Sequence, residues 1–126
     1  MTPVFLELYV KSIAFNITFF TTIFGFTVVR DEGSFAELHL GSSIVLLNAS
    51  ASDVKGHVFH KKINPKTNGI GVEIGIFVDD IDSVYKKAKE FKEFKSISEL
   101  KRQDWGMTDF RILTNDNYYI RVTSKK

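Results

Sequence analysis

Apolar and polar positions set the elements of this chain. Pro3 to Val10 is apolar and aromatic enough for a strand, and Lys11-Ser12 breaks it. Ile13, Ile17, Phe20 and Ile23 then recur at three- and four-residue steps, which predicts a helix. Phe24-Gly25-Phe26 ends it, with Gly25 as a left-handed cap. Three short strands follow at Thr27 to Arg30, Phe35 to Leu40 and Ile44 to Asn48, separated by the turns Asp31 to Ser34 and Gly41-Ser42-Ser43.

Residues 49–68 lose this periodicity and read as a linker with a short helical turn. The order then repeats. Val72 to Val78 is a β-branched strand interrupted by Glu73, and Asp80 is placed to cap a helix from Ile81 to Phe91. Lys95 to Ser98 is a poor strand, Gln103 to Thr108 a loop carrying Trp105-Gly106, and Asp109 to Thr114 and Tyr118 to Thr123 the last two strands. An offset of 68 superposes the two strand-helix units, and an offset of 74 superposes the final hairpins. The six-residue difference falls on the Trp105 loop. The chain is therefore read as one α+β domain spanning residues 1–126, with module one at 1–48, a linker at 49–68 and module two at 69–126.

Alternation assigns the faces of the strands. Val72, Ile74, Ile76 and Val78 are expected to pack on the helix. Glu73, Gly75 and Phe77 are expected on a concave side, joined through the repeat by Phe5, Glu7, Tyr9, Val45, Leu47, Tyr119, Arg121 and Thr123. Glu37, His39, Asp109 and Arg111 are expected to share that side. Carboxylates, guanidiniums, a histidine and aromatics on one face mark it as the candidate site.

Composition narrows the chemistry. The chain has no cysteine, which excludes disulfides, thiolate metal sites and a cysteine nucleophile. A net charge of +2 without a dense basic stripe argues against nucleic acid as a partner. No apolar run approaches the ~20 residues of a membrane span, and no signal peptide is evident at the N-terminus, so a cytoplasmic protein is expected.

The paired modules, the phrase FFTTIFGF (residues 19–26), the phrase VEIGIFVDDIDSVYKKA (72–88) and the ending WGMTDFRILTNDNYYIRVT (105–123) resemble the glyoxalase / bleomycin-resistance / extradiol-dioxygenase superfamily, the vicinal oxygen chelate proteins. The resemblance covers nearly all of the chain outside the linker. It implies two βαβββ modules whose curved mixed sheets surround a cavity, and a homodimer. Metal-dependent members hold a divalent ion there with His, Gln or Glu from the first and last strands of the modules. The corresponding positions here are Phe5, Leu47, Glu73 and Arg121. Glu73 alone can ligate, because phenylalanine and leucine have no lone pair to offer and arginine is a permanent cation. Glu73 and Arg121 are expected to form an ion pair where the ion would sit. His57 and His60 are read as solvated loop residues, and His39 as a wall of the cavity.

The resemblance thus implies a small-molecule-binding protein of the bleomycin-resistance kind that works without the usual metal or another cofactor. The missing ligands weigh against an enzyme. Phe5, Glu7, Tyr9, His39, Leu47, Glu73, Phe77, Trp105, Arg111, Tyr119 and Arg121 are the candidate ligand-binding residues. Bleomycin is cationic, so a basic chain favours an aromatic or anionic ligand instead. The alternatives are a metal-dependent lyase, isomerase or dioxygenase of the same superfamily, and a non-catalytic remnant.

Overall fold

The computed structural model describes residues 3–125, which divide into two compact units, Met1–Asn64 and Pro65–Lys126. Each unit is a helix packed on one face of a mixed sheet. In the first, β1 (Phe5–Tyr9) leads to α1 (Ile13–Phe24), then β2 (Thr27–Asp31), β3 (Phe35–Leu40) and β4 (Ser43–Asn48). The strand order is β1-β4-β3-β2, with β1 and β4 parallel and the other pairs antiparallel. The second unit repeats the plan with β5 (Glu73–Val78), α2 (Ile81–Phe91), β6 (Ser96–Ile97), β7 (Lys101–Arg102), β8 (Thr108–Leu113) and β9 (Tyr119–Ser124). Its order is β5-β9-β8-β6, and β7 also pairs with β8. The two-residue strand β7 is an addition to the sequence reading.

Each helix starts at a capping side chain, Asp80 as the sequence predicts and Ser12 as an addition to it. The Ser12 side chain accepts from the Phe15 amide at 3.1 Å, and Asp80 Oδ1 accepts from the Ser83 amide at 3.1 Å, each meeting one of the free donors of a first turn. Gly25 sits in the left-handed region at φ 78°, and the amides of Gly25 and Phe26 return to the Thr21 and Phe20 carbonyls. The apolar face of α1 buries Ile13, Phe19, Phe20, Ile23 and Phe24 against β2, β3 and β4. The α2 helix rests on β8 and β9 and buries only Ile81 and Ala88. Phe110, Ile112, Ile120 and Val122 form the fully buried layer beneath it.

The two final hairpins differ by one residue, and this corrects a face assignment. Leu40 pairs with Ser43 across a two-residue turn, whereas Thr114 bonds Tyr118 across the three residues Asn115-Asp116-Asn117, with Asn117 left-handed at φ 71°. The offset between modules is therefore 74 up to the turn and 75 beyond it. The position equivalent to Arg121 is Leu46, not Leu47. Val45 and Leu47 lie in register with Leu6 and Leu8 of β1 and with Leu38 and Ala36 of β3, and both are buried on the helix side. Strand side chains alternate, so an offset in error by one residue reverses the assigned face.

Residues 49–68 do not form a plain linker. A 3-10 turn, Ala51–Asp53, opens a series of hydrogen-bonded turns, and residues up to Asn64 belong to the first unit. Residues 65–68 belong to the second. There Asn117 Nδ2 donates to the Asn68 carbonyl, and Lys95 Nζ donates to Asn117 Oδ1 and to the Pro65 carbonyl.

Candidate functional site

Each sheet has a face turned away from its helix, and the candidate residues gather on these faces. In the first unit the ladder sets them in rows: Phe5, Ile44 and His39, then Glu7, Leu46, Glu37 and Arg30, then Tyr9, Asn48 and Phe35. A bulge between Val28 and Arg30 brings Arg30 opposite Glu37. The polar groups answer one another. Glu37 Oε2 lies 2.6 Å from His39 Nε2, and Arg30 Nη2 is 3.7 Å from Glu37 Oε1 with its guanidinium over the Phe35 ring. Asn48 Nδ2 donates to Glu7 Oε2 at 3.1 Å. The Tyr9 phenol is pushed above its usual pKa, first by burial and then by the charge and hydrogen bond of Glu7.

His57 is not a free loop histidine. Its ring meets Tyr9 edge-on at 5.5 Å between centroids, and Phe59 does so at 5.0 Å. Three aromatics from the strand and the following turns thus close one end of that face. Nothing in the local periodicity of residues 49–68 signals this packing.

In the second unit the rows are Glu73, Tyr119 and Leu113, then Gly75, Arg121 and Arg111, then Phe77, Thr123 and Asp109. Asp109 is the anchor. Its side chain is only 1% exposed, and its Oδ1 accepts from Gln103 Nε2 at 2.7 Å and from Arg111 Nη1 at 3.2 Å. Arg111 Nε donates to Glu73 Oε1 at 3.1 Å, so one guanidinium joins two carboxylates. Burial alone would ease the proton off Arg111. The bond to Glu73 and the charges of Asp109 and Glu73 outweigh it and hold the cation. The expected partnership is thus corrected: Glu73 is bonded to Arg111, not to Arg121.

Arg121 is held differently. Its Nε stands 3.5 Å from Asp109 Oδ2 without a hydrogen bond, and both atoms are buried without a bonding partner. Its guanidinium lies over the Trp105 ring at 5.5 Å. Trp105 is held out by a short loop in which the Gln103 amide bonds the Met107 carbonyl and the Gly106 amide bonds the Gln103 carbonyl, and it stays 49% exposed. Phe77 and Tyr119 are likewise exposed on this face. Gln103 was not foreseen as a site residue. It comes from a loop, where no strand alternation points to it.

These side chains do not compose a donor set for a divalent ion. In the first unit the strand positions offer Phe5 and Leu46. In the second they offer Glu73, already engaged by a guanidinium, and Arg121, a cation. Among the described residues no three His, Asp or Glu side chains cluster closely enough to hold a metal. Nor is any helix long and apolar enough to cross a membrane.

The sequence profile of the glyoxalase-like domain matches residues 4–125. No curated protein matches by sequence. The fold is shared with a bleomycin resistance determinant encoded on the transposon Tn5, at 16% identity and a TM-score of 0.72 over 100% of this chain and 99% of that one. A bleomycin-binding protein complexed with bleomycin is 17% identical over 100% of both chains, with a TM-score of 0.71. A lactoylglutathione lyase from Agrobacterium tumefaciens is 14% identical over 98% of this chain and 94% of its own, with a TM-score of 0.70. Likenesses at these identities establish the architecture, which hosts both binding and catalysis.

Proposed function

The chain belongs to the glyoxalase-like domain family, and from that membership we propose that it is a binding protein that takes up a small aromatic or anionic molecule on its open sheet faces without the divalent ion of its metal-dependent relatives. The observation that carries this reading is Arg121. It stands at a strand position where those relatives draw a ligand, with its charge turned to an exposed tryptophan and without a hydrogen bond to a described residue. Exposed Phe77, Trp105 and Tyr119 supply flat apolar surface beside it. The bleomycin-binding neighbour lends support as a protein of this architecture that holds a small molecule.

We further propose a homodimer. Each unit exposes apolar side chains at an edge strand, Val4 and Phe5 in the first and Ile70, Val72 and Phe77 in the second, which a second copy would cover. Light scattering on a sizing column is expected to give twice the 14.4 kDa chain mass, and a monomer would dismiss this part.

Elemental analysis of the purified protein, followed by titration of the chelator-treated sample with aromatic anions, tests the main reading. Trp105 is the only tryptophan, so its emission reports on this face. Saturable quenching without bound metal is the expected result. One divalent ion per chain, with binding lost on chelation, would favour the metal-dependent lyase, isomerase or dioxygenase instead.

A further inference from the structure

Arg121 and Arg111 face each other across the β8–β9 ladder, yet only one of them is engaged in hydrogen bonds to the described residues. Arg111 bridges Glu73 and Asp109 through hydrogen bonds. Among the described residues none accepts a hydrogen bond from the Arg121 guanidinium, whose side chain is 28% exposed. A planar guanidinium with free terminal N–H groups matches a carboxylate in a two-point fork. The structure also leaves room for one. The residue paired with Arg121 on the edge strand is Gly75, and a Cβ built there would meet nothing within 4 Å. Its neighbours on the same face are Glu73 and Phe77 along β5 and Tyr119 and Thr123 along β9. Module one has Glu7 at the equivalent position, so the hollow is particular to the second unit.

We infer that the space above Gly75 is a subsite for a planar aromatic monocarboxylate, with its carboxylate on the terminal nitrogens of Arg121 and its ring against Phe77, Tyr119 and the exposed face of Trp105. Charge balance selects the monoanion. Arg111 and Arg121 on this face are already matched by Glu73 and Asp109. One added negative charge is met by the free donors, whereas a dianion adds a second beside two fixed carboxylates. Arg111 serves here as a positioning residue. By occupying Glu73 and one oxygen of Asp109 it leaves Arg121 only a 3.5 Å ion pair with the other Asp109 oxygen, without a hydrogen bond. The inference rests on the binding reading above and narrows it to one ligand class and one anion-binding residue.

Calorimetric titration with 4-nitrobenzoate, 4-nitrobenzamide and phenyl phosphate, with Trp105 emission followed in parallel, decides the matter. The carboxylate is expected to bind about ten-fold or more tightly than the amide of the same shape, the difference a charge-assisted pair supplies. Phenyl phosphate is expected to bind more weakly than the carboxylate. Arg121→Gln should erase the preference for carboxylate over amide, and Arg121→Lys should restore part of it. Gly75→Leu should abolish binding of both nitro compounds with an unchanged thermal midpoint, since that position has open space and no left-handed backbone. If nitrobenzoate and nitrobenzamide bind alike and Arg121→Gln alters neither, or if phenyl phosphate binds best, the subsite assignment fails while the binding reading stands. If none of the three quenches Trp105 or releases heat, both fall.

Discussion

Two arginines at paired positions have different energetic roles, and variants separate them. Arg111→Ala leaves Asp109, a carboxylate with a fully buried side chain, with Gln103 as its only hydrogen-bond donor. Losing a partner of a buried charge is worth about 3 kcal/mol, so the urea midpoint should fall clearly. Arg121→Ala removes a cation that faces the buried Asp109 at 3.5 Å without a hydrogen bond, and a smaller loss than in Arg111→Ala is expected. Equal losses in the two variants would contradict this division. Tyr9 gives a pH test. Its folded-state pKa lies above the unfolded value of about 10, so its contribution to stability is whole below that pH and is lost as pH rises through the folded value. Tyr9→Phe should lessen the alkaline decline in unfolding free energy measured above about pH 10. At this scale the sequence was legible as residue types on faces. Glu73, Arg111 and Arg121 do share one. Which guanidinium would take which carboxylate was not legible, because that depends on strand pairing: Arg111 on β8 reaches across β9 to Glu73 on β5 and two residues along its own strand to Asp109.

Among the elements, the turns carry the information that periodicity lacks. The helices and most strands follow from apolar spacing and caps, and their ends fall within a residue or two of the expected ones. The Leu47 position failed because a fixed offset was carried through a turn that is one residue longer in the second unit. That extra residue is absorbed by left-handed Asn117 and leaves both strands in step. The same turn clasps residues 65–69. Gly69 is left-handed at φ 75°, and a Cβ there would stand 2.7 Å from the Asn117 carbonyl oxygen. Gly69→Ala therefore combines backbone strain with a clash against main chain, and a loss of about 2 kcal/mol or more is expected in chemical denaturation. A neutral outcome would mean that the turn yields freely.

For the molecule as a whole, the repeat made the architecture readable from sequence, since the same strand-helix-strands order appears twice. The unequal burial of the two halves was less visible. The phenylalanine-rich face of α1 is buried deeply, whereas α2 presents lysines and buries two residues. Amide hydrogen exchange should accordingly show stronger protection in α1 than in α2. Uniform protection across both helices would argue against unequal local stability. The parallel pairing of the outer strands has a further consequence, for the order of assembly. Phe5 finds its partner Ile44, and Glu73 its partner Tyr119, only after about forty residues or more have followed. On a growing chain, each unit's first strand is thus made earliest and paired last. Closing so long a loop before the contact forms is slow. The edge strands that carry Phe5 and Phe77 are therefore the segments most open to mispairing between nascent chains, and the step most in need of a chaperone is the return of β4 and β9 to meet them.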